Sequence, residues 1–262
     1  MLPANSVSIQ PGQEAYYCYY RTVTSAIEVG AFQSWMSSGS SHHFIVFEET
    51  PAHADNSVVS CVFGSGNWRY ATSVSGQIIE LKMPDGVGLS VASGQQFDLN
   101  MHFVNPGSTA VSPTLKLNIV FAQNVTNHAA AMYSFNATIN VPAGTAAAPG
   151  KQTVNGSCSA PAGSKFFALT THTHKHAVAA DVNIVHGGQT TNIVHTTNWE
   201  APDVGLWGPP NFLTIQAGDS ITYSCSYANT TPSPVLVGET AASNEMCMAI
   251  GYYFPAGTTQ CL

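Results

Sequence analysis

Leu115-Lys-Leu-Asn-Ile-Val-Phe-Ala122 places apolar side chains at 115, 117, 119 and 121 and polar ones at 116 and 118. That two-residue period is the signature of a β-strand with one buried face. The same period recurs in Val178-Ala-Ala-Asp-Val-Asn-Ile-Val185, through Val178, Ala180, Val182 and Ile184. Working outward, short runs rich in β-branched and aromatic residues follow one another: Ala15–Tyr20, Phe44–Glu48, Gln77–Lys82 and Ile221–Tyr227. Turn signals separate them, among them Pro11-Gly12, Pro84-Asp85-Gly86, Asn105-Pro106-Gly107, Pro142-Ala143-Gly144, Ala217-Gly218-Asp219 and Pro255-Ala256-Gly257. Capped helices, heptads and solenoid repeats are absent from the pattern. The expectation is an all-β chain of antiparallel sheets packed as sandwiches, each strand burying one face.

The 262 residues include only 8% charged side chains, 7 Lys+Arg against 14 Asp+Glu, for a formal charge of -7. Globular proteins average about 25% charged residues, so Ser, Thr, Asn and Gln must cover this surface. Cations scattered from Arg21 to Lys175 make no basic patch, which excludes nucleic acid as a partner. No stretch reaches the ~18 apolar residues of a membrane-spanning helix. Met1-Leu-Pro-Ala-Asn-Ser6 lacks the charged and apolar regions of a signal peptide, and the chain reads as a mature or truncated form whose export signal is missing. Length allows one large or two medium domains. The expected boundary falls near Asn127, giving domains 1–127 and 128–262, because Met132–Val141 reads as a strand that continues into the second half. Pro142–Gly150, rich in Ala, Pro and Gly, is a linker or a long hairpin loop.

Six cysteines in a weakly charged, Ser/Thr-rich chain point to an oxidising compartment, secreted, periplasmic or extracellular, and to as many as three disulfides. Cys-x-x-Cys spacing is absent, which favours staples over thiolate metal sites. Asn124, Asn136, Asn155 and Asn229 begin Asn-x-Ser/Thr triplets, which arise by chance in such a composition and matter only in a eukaryotic source.

Ten histidines outnumber the seven fixed cations, and they are grouped. His172-Thr-His174 on a strand puts two imidazoles on one face, about 6.6 Å apart at Cα, within reach of one metal ion. A hydrogen-bonded interface pair is an equal reading of that motif alone. The two also share the parity of Val178, Ala180 and Ile184, so a regular strand would place them on a packed face. Adjacent His42-His43 would point to opposite faces of a regular strand; sharing a metal requires a bulge, a strand end or different ring nitrogens. His102 lies in an apolar strand, where a lone histidine is ordinarily a satisfied core residue. Met246 offers a soft thioether suited to Cu(I), although a methionine beside a cysteine is ordinarily core.

Taken in order, Tyr17-Cys18-Tyr19, His42-His43, Met101-His102-Phe-Val-Asn-Pro106, His172-Thr-His174, Gly218-Asp219 and Glu245-Met246-Cys247 resemble the copper type II, ascorbate-dependent monooxygenases, from about Gln13 to Pro255. The resemblance implies two consecutive antiparallel β-sandwich, jelly-roll-like domains facing one another across a solvent-filled cleft, each with one mononuclear copper. His42, His43 and His102 would hold the electron-storing ion. His172, His174 and Met246 would hold the catalytic one, where O2 binds and a C–H bond is broken, with ascorbate or another reductant as co-substrate. Three nitrogens suit an ion that only changes charge, whereas two nitrogens and a weak thioether favour the reduced state. The resemblance further implies the disulfides Cys18–Cys61, Cys158–Cys261 and Cys225–Cys247, the last locking the Met246 strand.

Peptide-hydroxylating relatives grip a carboxylate with an Arg, an Asn and a Tyr at positions that here are Thr170, Met248 and Ile250. None of these makes a charge-assisted bond, so the substrate, a small molecule or short polymer, is expected not to be a peptidylglycine. His176, also on the His172/His174 parity, could compete as a third nitrogen ligand. Two other classes fit parts of the sequence. A secreted copper-binding protein for sequestration, delivery or redox sensing would explain the missing substrate grip, and a glycan-binding or adhesion sandwich would be revealed by a lack of stoichiometric copper.

Overall fold

The alternating runs form strands, and among the described residues of this computed structural model there is no helix. The structure describes residues 7–62, 66–72 and 75–261. Met1–Ser6, where the sequence shows no export signal, lies outside them. The chain divides into two compact units, Met1–His128 and Ala129–Leu262. Each is an all-β, sandwich-like assembly in which nearly every pairing is antiparallel.

The first unit contains β1 (Glu14–Thr22), β2 (Ile27–Met36), β3 (Ser41–Glu49), β4 (Val58–Ser60), β5 (Asn67–Thr72), β6 (Ile78–Lys82), β7 (Val87–Val91), β8 (Gln96–Val104), β9 (Leu115–Phe121) and β10 (Asn127–His128). One sheet has the order β4-β1-β8-β3-β5; the other runs β10-β7-β2-β6, with β9 also on β2. On β8 the odd positions Phe97, Leu99, Met101 and Phe103 are buried with Phe44 and Val46 of β3, their register partners' side of the sheet. The expectation that each strand exposes one face fails here. Gln96, Asp98, Asn100 and His102, the even positions, are buried too. The segment between β3 and β5 covers them: Gln96 Oε1 accepts from the His53 amide at 3.2 Å, and Asn100 Nδ2 donates to Val62 O at 2.8 Å. On β9 the alternation holds through Ile119, but Phe121 is exposed.

The second unit contains β11 (Ala130–Phe135), β12 (Asn140–Val141), β13 (Gly150–Ser159), β14 (Lys165–Thr173), β15 (Ala177–His186), β16 (Gln189–Thr196), β17 (Val204–Leu206), β18 (Leu213–Thr214), β19 (Ser220–Asn229), β20 (Val235–Leu236), β21 (Cys247–Phe254) and β22 (Gln260–Cys261). Sheets β11-β21-β14-β17 and β16-β15-β19-β13-β22 share a core that includes Met132, Phe166, Leu169, Val182, Ile221, Tyr223 and Tyr253. Gly251 sits where a Cβ would come within 2.6 Å of Leu169 Cδ2 and 2.8 Å of Phe166, so two large side chains pack over bare backbone.

Two sequence expectations are corrected in this unit, and one left open is decided. Met132–Val141 is two strands, because Asn136 Oδ1 accepts from the Thr138 amide and hydroxyl at 2.7 and 2.6 Å, turning the chain between sheets. Pro142–Gly150 is a packed loop inside the unit: Gly144 N donates to Thr231 O at 2.8 Å, and a Cβ on Gly150 would overlap Pro142 O. Val178 is exposed, unlike Ala180, Val182 and Ile184, because a bulge between Ala177 and Ala179 turns it outward.

Disulfides join Cys18 to Cys61, Cys158 to Cys261 and Cys225 to Cys247, the pairs the family resemblance implies.

Candidate metal centres

His43 of β3 pairs directly across from His102 of β8, which puts their rings on the same face. The ladder then shifts: Ser41 pairs with Phe103, so His42 is the extra residue of a β-bulge. The bulge brings to that face a side chain that a regular strand would send to the other. One nitrogen from each of His42, His43 and His102 lies within 4.8 Å of the others. His42 Nδ1 and His43 Nδ1 are 3.2 Å apart, a spacing that serves a hydrogen bond or two lone pairs aimed at one ion about 2.0 Å from each. His43 and His102 are 5% and 0% exposed. Three imidazoles gathered away from solvent, with no carboxylate in the set, fit copper or zinc and disfavour calcium or magnesium.

The His102 ring is held from three sides. Its Nε2 meets Glu14 Oε1 at 2.7 Å, Tyr16 stacks on it at 4.1 Å and 8°, and His42 lies over it at 4.9 Å and 20°. Farther along the same face, Asn100 Nδ2 reaches Cys18 Sγ at 3.2 Å, beside the Cys18–Cys61 bridge. Asp98 follows, opposite Tyr20 of β1. Burial, then the nearby Glu49 charge, pushes its carboxyl up to about 7, and burial with the same two carboxylates pushes Tyr20 up to about 12. Glu14 and Asp98 were missed by the sequence reading, which placed Glu245 in the family motif without giving it a role. A signal for Asp98 existed: in Gln96-Phe-Asp-Leu-Asn-Met-His102 every second residue is polar, which marks a second, polar face on a strand otherwise read as core.

In the second unit, His172 lies near the end of β14 opposite Met248, with Thr173 opposite Cys247. The ladder ends there, with His174 and Met246 the next residues beyond its end. The two imidazole centroids are 5.3 Å apart and perpendicular. His174 is fully buried, and its Nδ1 meets Asn244 O at 3.1 Å. A carbonyl can only accept, so Nδ1 carries the proton and Nε2 the lone pair. Glu245, 0% exposed, ties its own segment, next to Met246, to the one that follows β14: its carboxylate accepts from the His174 amide at 2.9 Å and the His176 amide at 2.6 Å. Burial outweighs those bonds and raises its carboxyl to about 7. Tyr227 hydroxyl donates to Met246 O at 2.8 Å, and the Cys225–Cys247 bridge fastens the next residue. Met246 is itself buried.

His176 does not join this pair. His174 to Ala177 is a turn, closed by Ala177 N on His174 O at 3.1 Å, so strand parity ends at the motif. Among the described residues, the three-donor group is that of His42, His43 and His102. Burial, then Lys175, pulls the His176 imidazole below its usual value. Thr170 and Ile250 face each other across β14 and β21, on the same side as His172 and Met248. That face carries Tyr133 and Phe135 on one flank and Val204 and Leu206 on the other, 42% to 71% exposed.

The chain thus consists of two all-β, sandwich-like units stapled by disulfides, the first carrying a three-histidine group whose donors fit a soft or borderline transition metal. The second unit identifies which: residues 131–262 match the copper type II ascorbate-dependent monooxygenase C-terminal domain, and the chain belongs to that family. No curated protein matches it. Among solved structures, the major capsid protein P2 of bacteriophage PM2 aligns at 6% identity over 96% of this chain and 95% of that chain, with a TM-score of 0.41. The CBM22-1–CBM22-2 tandem of Paenibacillus barcinonensis Xyn10C aligns at 8% identity over 94% and 79%, with a TM-score of 0.24. At these scores neither bears on function.

Proposed function

We propose that the chain is an exported copper-dependent monooxygenase with two mononuclear centres, His42/His43/His102 and His172/His174/Met246, that hydroxylates a C–H bond using O2 and an external two-electron reductant such as ascorbate. The observation that carries this reading is the first centre: a bulge gathers three imidazoles in a chain whose second unit belongs to a copper family. Bound copper would supply one-electron redox chemistry toward O2 and the C–H bond, and the overall reaction consumes two electrons and two protons to give the alcohol and water. The protein's part is positional. Asn244 O selects the His174 tautomer, and Glu245 and the Cys225–Cys247 bridge hold His174 and Met246 in register.

The face bearing His172 supports a substrate that is not a peptidylglycine. Thr170, Met248 and Ile250 present neither a cation nor an amide, and their neighbours Tyr133, Phe135 and Val204 are uncharged. A carboxylate brought there would lose water without gaining a charged partner. The three disulfides support an oxidising location, and among the described residues no helix is long and apolar enough to cross a membrane.

The test is copper stoichiometry after reconstitution, with X-ray absorption of the reduced protein. Two coppers per chain, a Cu–S contribution lost in Met246→Ala, and reductant-coupled O2 consumption abolished in a folded His172→Ala variant are expected. Two coppers without O2 turnover would instead favour a copper-binding protein, and no stoichiometric copper would overturn both.

A further inference from the structure

We propose that Glu14 is a positioning residue of the first metal centre: its carboxylate fixes the tautomer and orientation of His102, and its negative charge sets the reduction potential of the copper held there. The inference rests on the assignment of His42, His43 and His102 as copper ligands, and its test separates the two.

Glu14 begins β1, two residues before Tyr16, and Tyr16 is the register partner of His102. Same-parity residues on neighbouring strands share a face, so the carboxylate approaches the imidazole along the diagonal of the ladder. The contact is 2.7 Å from Oε1 to Nε2, with His102 fully buried and the Glu14 side chain 21% exposed. A carboxylate accepts, so Nε2 holds the proton and Nδ1 the lone pair, which makes Nδ1 the ring nitrogen available to an ion. Tyr16, stacked 4.1 Å away at 8°, blocks rotation of the ring out of that plane. A carboxylate behind a ligating imidazole raises its basicity, which favours Cu(II) over Cu(I) because the ion with the larger charge gains more from the added electron density.

The experiment uses the full chain in a His172→Ala background, so that the first centre dominates copper binding. Cu(II) and Cu(I) affinities are measured by competition with chelators of known affinity, and the potential by a redox titration followed through the Cu(II) EPR signal. Glu14→Gln keeps an acceptor oxygen but no charge, Glu14→Ala keeps neither, and Glu14→Asp tests rescue. We expect Cu(II) to bind 10- to 100-fold more weakly in Glu14→Ala, Cu(I) to change less, and the potential to rise by about 59 mV for each tenfold difference. Glu14→Gln should raise the potential with the EPR line shape preserved, and Glu14→Asp should fall back toward the parent. If the Glu14 variants keep the parental affinities and potential while His102→Ala loses copper, the role of Glu14 is refuted and the ligand assignment stands. If His102→Ala also leaves copper binding intact, both are refuted.

Discussion

Replacing Asp98 with Asn should stabilise the first unit by an amount that grows as pH rises from about 4 to about 7. Asp98 is 2% exposed on β8, and burial reinforced by Glu49 pushes its carboxyl up to about 7. In the unfolded chain the same group titrates near 4. Between these values the folded state holds a proton that the unfolded state has released, so stability falls as pH rises through the window and levels off above about 7. A rise from about 4 to about 7 corresponds to about 4 kcal/mol, which sets an upper bound. Asn is nearly isosteric with the protonated acid and cannot ionise. Urea unfolding of parent and Asp98→Asn at pH 5, 6, 7 and 8, followed through aromatic probes of the first unit such as Trp35 and Trp68, reads the effect directly. The variant should already lead by up to about 1.4 kcal/mol at pH 5 and gain progressively, by up to about 4 kcal/mol, at pH 8. A difference that is constant with pH, or a variant less stable at pH 8, would refute the argument that this carboxyl is held protonated by burial.

In the second unit, Glu245→Ala removes the acceptor for the His174 and His176 amides; two buried donors left without it should cost on the order of 3 kcal/mol, read as a lower melting temperature, and should weaken copper binding at His172, His174 and Met246. Replacing Cys225 and Cys247 together with Ala opens a link spanning 22 residues, and the chain-entropy relation puts the loss at about 3 kcal/mol; thermal melts under oxidising conditions should show it, and they should converge with the parent's when reductant opens the bridge.

Some of this was written in the sequence. A strand needs only its two-residue period, so Leu115–Phe121 and Val178–Val185 declared an all-β chain without reference to any partner. The order of the histidine, methionine and cysteine motifs carried the family. Other features depend on which strand lies beside which. Val178 and Phe121 break their own alternation because a bulge or an edge position overrides the local pattern. His42-His43 was ambiguous on one strand, since adjacent side chains diverge; pairing with β8 created the bulge that brings both rings to His102. His176 shared a parity with His172 and His174 only while the strand was imagined straight, and the turn at His174–Ala177 removed it.

The sequence by itself therefore determined what is local: strand period, turn chemistry, the supply of soft and borderline donors, and the absence of charge that could serve a nucleic acid or grip a carboxylate. The tertiary structure decided which distant groups meet. Glu14 reaches His102 across 88 positions of chain, and Glu245 reaches His174 across 71. Neither pairing has a sequence period to announce it. The first arises from strand register, which is set by the burial of whole faces; a slip of one residue would turn the Glu14 carboxylate away from His102.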